Sequence, residues 1–413
     1  ASSQQGAVRS SRIHQLQTGL LTHPERSAEM ITLILSGTSN QQGLARAIAS
    51  SGVKIERQIR NLYQVRMPAS KVKAFLDKMP QGIPARLPYP HSENTVTSQG
   101  VNLTGAGDMH NLAFDGAGVK IGIIDLGFAA LSTSQAANEL PPTGAGLNII
   151  DYTGTGTGGI NHGTNVAEIV HDMAPGSELF LAKISTTLEL QAAVNDMIAS
   201  GVQVINHSVG WYGAAFYDGT GSLCDITNTA ASNGIIWANS AGNARKQHYL
   251  GNFADTDSNL SHEFATGQNY NTINVTSGYT YTFVLNWDAY PSTSVDYDLF
   301  IYNGDPATGG NIVASSTNAQ SGVGRFSFPT PYEAISYTAA ATGTLYIVVT
   351  KKDSATANLP LSLFTLRGSL GTQTRSSSLT QPSDCASVLT VGATDLSDTA
   401  EYFSSEKMQD VFK

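Results

Sequence analysis

Charge is scarce in this chain: only 13% of its 413 residues are Asp, Glu, Lys or Arg. The apolar share is 41%, which excludes a disordered chain and predicts a sizeable core. Cysteine is scarcer still. Cys224 and Cys385 are the only two, and a pair so far apart fits no metal-ligand spacing. They are either two buried thiols or one disulfide closing a long loop. No window approaches the roughly 18 continuous apolar residues of a membrane span, so no membrane partner is expected. The first residues, Ala1-Ser2-Ser3-Gln4-Gln5, lack a basic stretch followed by an apolar one; a signal peptide is absent or already removed.

What is present is long and uneven. A chain of 413 residues predicts two to four domains. The net charge of −9 divides sharply. Residues 1–98 hold 12 Lys and Arg against 5 Asp and Glu, a balance of +7, whereas residues 99–413 hold 11 against 27, a balance of −16. A basic leader on an acidic body fits either a nucleic-acid arm or two parts that dock on each other. No aromatic-interleaved basic motif accompanies the leader, so no nucleic-acid partner is expected.

Three rhythms follow one another. Within residues 1–98, strands at 31–35, 53–59, 62–67 and 83–88 alternate with helices at 43–50 and 69–79. The order β-α-β-β-α-β predicts a ferredoxin-like α+β domain. Residues 89–104 read as an exposed linker. Residues 99–256 then carry apolar strands without alternation, such as VKIGIID at 119–125, separated by helical stripes such as Val166, Ile169, Val170 and Met173. That predicts an α/β domain with a doubly wound parallel sheet, whose site lies at the carboxyl ends of its strands. Residues 257–372 are rich in Ser, Thr, Asn, Gly and Tyr, with short alternating strands at 281–287, 297–302, 324–328 and 344–350. They predict an inserted all-β sandwich or jelly roll. Residues 373–413 return to the buried-strand style at VLTVGA, 388–393.

Three side chains stand where parallel sheets build sites. Asp125 ends the first strand of the α/β domain and is followed by Leu126-Gly127. His162 opens a helix in Asn161-His162-Gly163-Thr164. Asn243 follows a later strand in Ser240-Ala241-Gly242-Asn243. Each alone has an ordinary explanation as a turn, cap or packing residue. Together they supply a carboxylate, an imidazole and a side-chain amide, the groups needed for acyl transfer.

The words around them match a family. IIDLGF at the Asp, NHGTNVAEIV at the His, APGSELFLAKI after it, INHSVG, SAGN, and LTVGATD with YFSS together resemble the subtilisin-like serine peptidases over residues 99–255 and 383–413. The resemblance implies that Asp125 orients the imidazole, that His162 acts as general base and then general acid, and that Asn243 donates to the oxyanion. It implies that Ser208, Val209 and Gly210 pair with an extended peptide substrate, and that Ala241 and Gly242 line the pocket beside the scissile bond. It also brings Cys224 and Cys385 together as a disulfide, and places the protein outside the cell or in the periplasm.

One part of the family pattern is missing. The nucleophile, a Ser in Gly-Thr-Ser-x-Ala-x-Pro, should follow YFSS, but the sequence reads on only to Val411-Phe412-Lys413. Gly37-Thr38-Ser39 lacks the Ala and Pro and precedes the Asp, so it reads as a turn. The expectation is a secreted endopeptidase, inactive as this chain alone: either the sequence is truncated at Lys413, or the protein is nicked there and its serine lies on a C-terminal fragment that stays associated as a second chain. The alternative is a non-catalytic binding protein of the same fold, working through its peptide cleft or its β-insert. The resemblance makes residues 1–98 a propeptide whose tail, near 84–98, lies along the substrate strand, with Tyr89 and His91 as candidate contacts. The chemistry requires no cofactor; Asp296-Tyr297-Asp298 is the candidate for a structural calcium ion, or else a solvated edge.

Overall fold

The computed structural model describes residues 28–37, 41–80, 83–89, 91–93, 100–320 and 329–407, with backbone alone at 91–93 and 102. Thr38, Ser39, residues 94–98, the expected strand at 324–328 and residues 411–413 therefore lie outside the described residues. The chain divides into two compact units. One comprises Ala1–Pro90 and Lys246–Arg375, the other His91–Arg245 and Ser376–Lys413.

The first unit opens with β1 (Met30–Ser36), a helix (Gln41–Ser50), β2 (Ile55–Ile59), β3 (Leu62–Pro68), a helix (Ala69–Leu76) and β4 (Ala85–Arg86). They form an antiparallel sheet of order β2-β3-β1-β4. Leu44 and Ile48, one turn apart, are the buried side of the first helix and meet Leu33, Leu35 and Val65 of the sheet. This is the i, i+4 spacing that gives a helix a single apolar face.

The same unit contains two four-stranded antiparallel sheets. One is ordered His248–Asn252, Pro360–Thr365, Thr280–Trp287, Tyr332–Thr338, and the other Asn271–Val275, Gly343–Lys351, Tyr297–Tyr302, Ile312–Ser316. Their alternating inward residues, including Phe283, Leu285, Trp287, Tyr297, Leu299, Ile301, Ile347 and Leu363, share one hydrophobic core. The first sheet takes in His248–Asn252, which lies ahead of residue 257.

The second unit carries β5 (His91–Glu93), β6 (Lys120–Asp125), β7 (Leu147–Asp151), β8 (Glu178–Lys183), β9 (Val204–His207), β10 (Val209–Trp211) and β11 (Ile236–Ser240), and ends with a strand at Val388–Val391. Six of these make a parallel sheet of order Val388–Val391, β11, β9, β6, β8, β7. Strands are added first on one side of β6 and then, from β9, on the other. Such a reversal opens a crevice at the carboxyl end of the first strand. The fold is thus mixed α/β, with one parallel sheet and several antiparallel ones.

Two departures from the sequence reading bear on the site. The stretch from Val204 to Trp211 makes two strands in different sheets: β9 stays in the parallel sheet, and past Ser208 the chain leaves it to form β10. The residues on both sides of Ser208, Ile205 and His207 before it and Val209 and Trp211 after it, are all buried, so burial does not mark the change of sheet. On β11 and the last strand, Ile236, Leu389 and Val391 are exposed. A parallel sheet of this kind normally has helices over both faces, so this face is apolar and open among the described residues.

Candidate active site

Asp125 is the last residue of β6 and is fully buried. Its Oδ1 accepts the backbone N–H of Leu126 at 2.7 Å, and its Oδ2 lies 2.7 Å from Nδ1 of His162. An ionised carboxylate can only accept, so the proton of this bond sits on Nδ1, and in the neutral imidazole Nε2 is then the acceptor. His162 is the first residue of the helix His162–Met173. The next residue explains the closeness. A Cβ on Gly163 would stand 2.8 Å from Cβ of Asp125 and 2.6 Å from the Gly127 carbonyl oxygen. Only glycine lets the helix start approach the strand end.

The chain reaches His162 through a glycine-rich loop at the ends of β7 and β8. Asp151 accepts the N–H and hydroxyl of Thr153 at 2.9 and 2.6 Å and the N–H of Gly156 at 2.6 Å. Burial pushes the Asp151 carboxyl up, but these hydrogen bonds and the Lys183 cation outweigh it and hold it below its ordinary range. Phe128 N–H donates to the Thr157 carbonyl and Ala129 N–H to that of Ile160, both at 2.9 Å.

Ser208 sits between β9 and β10, its hydroxyl donating to Oδ1 of Asn206 at 3.2 Å. Val209 and Gly210 belong to β10 and are buried. One edge of β10 pairs antiparallel with β5: Val209 opposite Glu93, Gly210 opposite Ser92, Trp211 opposite His91. Residues 91–93, in the tail of the leader, thus lie along the strand expected to take substrate. Tyr89 does not take part. It belongs to the first unit, where its ring meets Tyr332 edge-on at 5.5 Å and lies under the Arg86 guanidinium. Behind β10, Trp211 exchanges backbone hydrogen bonds with Gln381. Thr380 fills the space beside Gly210, where an added Cβ would be 2.5 Å from its hydroxyl.

Ala241, Gly242 and Asn243 form the turn after β11. Ala241 N–H donates to the Val391 carbonyl at 2.8 Å, and Gly242 has φ of 101°, a conformation that favours glycine. Asn243 is half-buried. Its backbone is held from both sides by Ser405, whose N–H donates to the Gly242 carbonyl at 2.8 Å and whose hydroxyl accepts the Ala244 N–H at 2.9 Å. Sequence reading did not single out Ser405, Thr380 or Lys183. Their places depend on hydrogen bonds between segments far apart in the chain.

Cys224, in the helix Ser222–Ser232, and Cys385 form a disulfide with Cα atoms 5.3 Å apart. Asp384 beside it is pushed up to about 6 by burial, against the N–H donated by Gly219. Cys224, Asp384 and Cys385 are also the only trio of metal-ligand type among the described residues. Sulfurs bonded to each other are not thiolate ligands. Within the first unit, Asp296 is buried with Oδ2 3.6 Å from Nζ of Lys352, and Asp298 pairs with Thr350 in the sheet.

No family model matches the chain. Its structure is similar to that of the CspB protease of Clostridium perfringens, with 13% identity, a TM-score of 0.47, and 76% of this chain and 78% of that one covered. It is also similar to the epidermin leader peptide processing serine protease EpiP of Staphylococcus aureus, with 15% identity, a TM-score of 0.35, and 53% and 61% covered. The PatG macrocyclase gives 14% identity, a TM-score of 0.25, and 38% and 58% covered. The match spans less than two thirds of EpiP and of PatG. Among the described residues no helix is long and apolar enough to cross a membrane.

Proposed function

We propose that this chain is the Asp- and His-bearing part of a secreted subtilisin-like serine endopeptidase, held with its own leader. The observation that carries the reading is the buried hydrogen bond between Asp125 Oδ2 and His162 Nδ1, 2.7 Å long, at the carboxyl end of a central parallel strand. With its proton fixed on Nδ1, the imidazole offers Nε2 as a base. It would take the proton of a serine hydroxyl as the serine oxygen adds to the peptide carbonyl. Asn243 would donate to the resulting oxyanion, a contact whose removal costs about 10²–10³ in rate. His162 would then return the proton to the leaving amine as the C–N bond breaks. Water releases the acyl group by the same route in reverse.

The sequence contains no Gly-Thr-Ser-x-Ala-x-Pro, so the proposal assigns the nucleophile to a further segment. The exposed apolar face at Ile236, Leu389 and Val391 supports this, because it suits a covering helix. The pairing of His91–Glu93 with β10 supports a leader whose tail occupies the cleft before release. The disulfide supports an oxidising, extracytoplasmic location. The acyl transfer itself calls on side chains and water alone.

The test is covalent labelling by a phosphonofluoridate of the product that includes a Gly-Thr-Ser-x-Ala-x-Pro segment. Labelling at that serine, lost on His162→Ala, is the expected result. Absence of labelling with the fold intact would overturn the reading in favour of a non-catalytic peptide-binding protein.

A further inference from the structure

We infer that Lys183 is a positioning residue for His162: its buried ammonium pins the loop that delivers the imidazole to Asp125. The inference rests on the Asp125–His162 pair being the working pair. Lys183 ends β8, and it is the register partner of both Asp125 on β6 and Asp151 on β7. Register partners on neighbouring strands project to the same side of the sheet, so the three side chains form one row across the strand ends. Lys183 is only 6% exposed. Its Nζ donates to the Thr155 hydroxyl at 3.0 Å and to the Gly156 carbonyl at 2.6 Å. Asp151 takes the N–H of the same Gly156 at 2.6 Å. That peptide segment is therefore gripped at both ends, by an anion and a cation from adjacent strands.

The grip matters because the loop is rich in glycine. Gly154, Gly156 and Gly159 all have positive φ, and glycine loses the most conformational freedom on being fixed. Six residues after Gly156 the chain becomes His162. Between them, the Phe128 and Ala129 N–H groups hold the far side of the loop, and Gly163 N–H donates to the Gly127 carbonyl at 3.0 Å. Loss of the Lys183 ammonium leaves Gly156 to Asp151 and the near side to Tyr152 and to the Thr153–Thr155 bonds, a looser hold from which the imidazole wanders relative to Oδ2 of Asp125. A lysine that served only to neutralise Asp151 would have no such effect on the ring.

The test uses the 413-residue chain and reads the proton on Nδ1 of His162 by NMR with labelled histidine; Asp125→Asn identifies the resonance. Exchange of that proton with water should accelerate about tenfold or more in Lys183→Met, the factor that losing hydrogen bonds from a charged donor implies. Thr155→Val keeps the cation but removes one acceptor, and should give a smaller acceleration. Ile205→Val, in the core of β9 and unconnected to the loop, should lower thermal stability without changing the exchange. Unchanged exchange in folded Lys183→Met overturns the inference, as does equal acceleration in Ile205→Val. If Lys183→Met does not fold, unchanged exchange in Thr155→Val overturns it. No hydrolysis is measured, so this outcome is separate from failure of the serine labelling.

Discussion

Gly163 approaches Asp125 so closely that a single added carbon would stand 2.8 Å from the aspartate Cβ. The first turn of the histidine helix and the end of the central strand share one space, and the geometry of the pair is set by the absence of a side chain. Gly163→Ala should therefore force the helix start away. Overpacking of this kind costs about 1–3 kcal/mol. The downfield Nδ1 proton of His162 should be lost while circular dichroism stays near native.

Asp125→Asn keeps the shape of the pair but lets the amide N–H group face Nδ1, which favours the wrong imidazole tautomer. On the proposed function, in the product that carries the serine segment, the expected loss in kcat is about 10⁴-fold, with KM little changed. Hydrolysis of a peptide anilide measures both.

The disulfide joins residues 161 positions apart. Closing so long a loop restricts the unfolded chain, and its loss should cost about 2–5 kcal/mol. Denaturant midpoints with and without reductant, alongside Cys224→Ser with Cys385→Ser, should show the same fall.

Glu333 gives the first unit a dependence on pH. Burial pushes its carboxyl up to about 8, although the Ser316 hydroxyl, Gln320, and the backbone and side chain of Asn318 all donate to it. The folded state therefore binds a proton that the unfolded state has released. Stability is fully present below the unfolded value of 4.5 and is lost as pH rises through about 8. Glu333→Gln should flatten that slope, as read from melting temperatures across the window.

Much of this was legible in the sequence because the signals are local. The unalternated run in β6 and the helical stripe after His162 announce a parallel sheet, and Asp125 and His162 stand at its strand end and helix start. Lys183 was not legible, since a lysine closing a strand gives no sign that its head will reach Gly156. Ser405 was hidden for the same reason: its partners, Gly242 and Ala244, belong to a turn on the other side of the insert. The departure of β10 from the sheet at Ser208 was not legible, because Val209 and Trp211 beyond it are buried just as Ile205 is before it.

Ser405 also sets an order of events during synthesis. It clamps the turn at Asn243 from 161 positions downstream, and the strand Val388–Val391 completes the edge of β11 from equally late in the chain. Domains tend to fold as they leave the ribosome, N-terminal portions first. The nascent chain can thus close the two antiparallel sheets of residues 246–375 while the turn at Asn243 still waits for its clamp. The turn at Asn243 is assembled last, after the strands it follows are already in place.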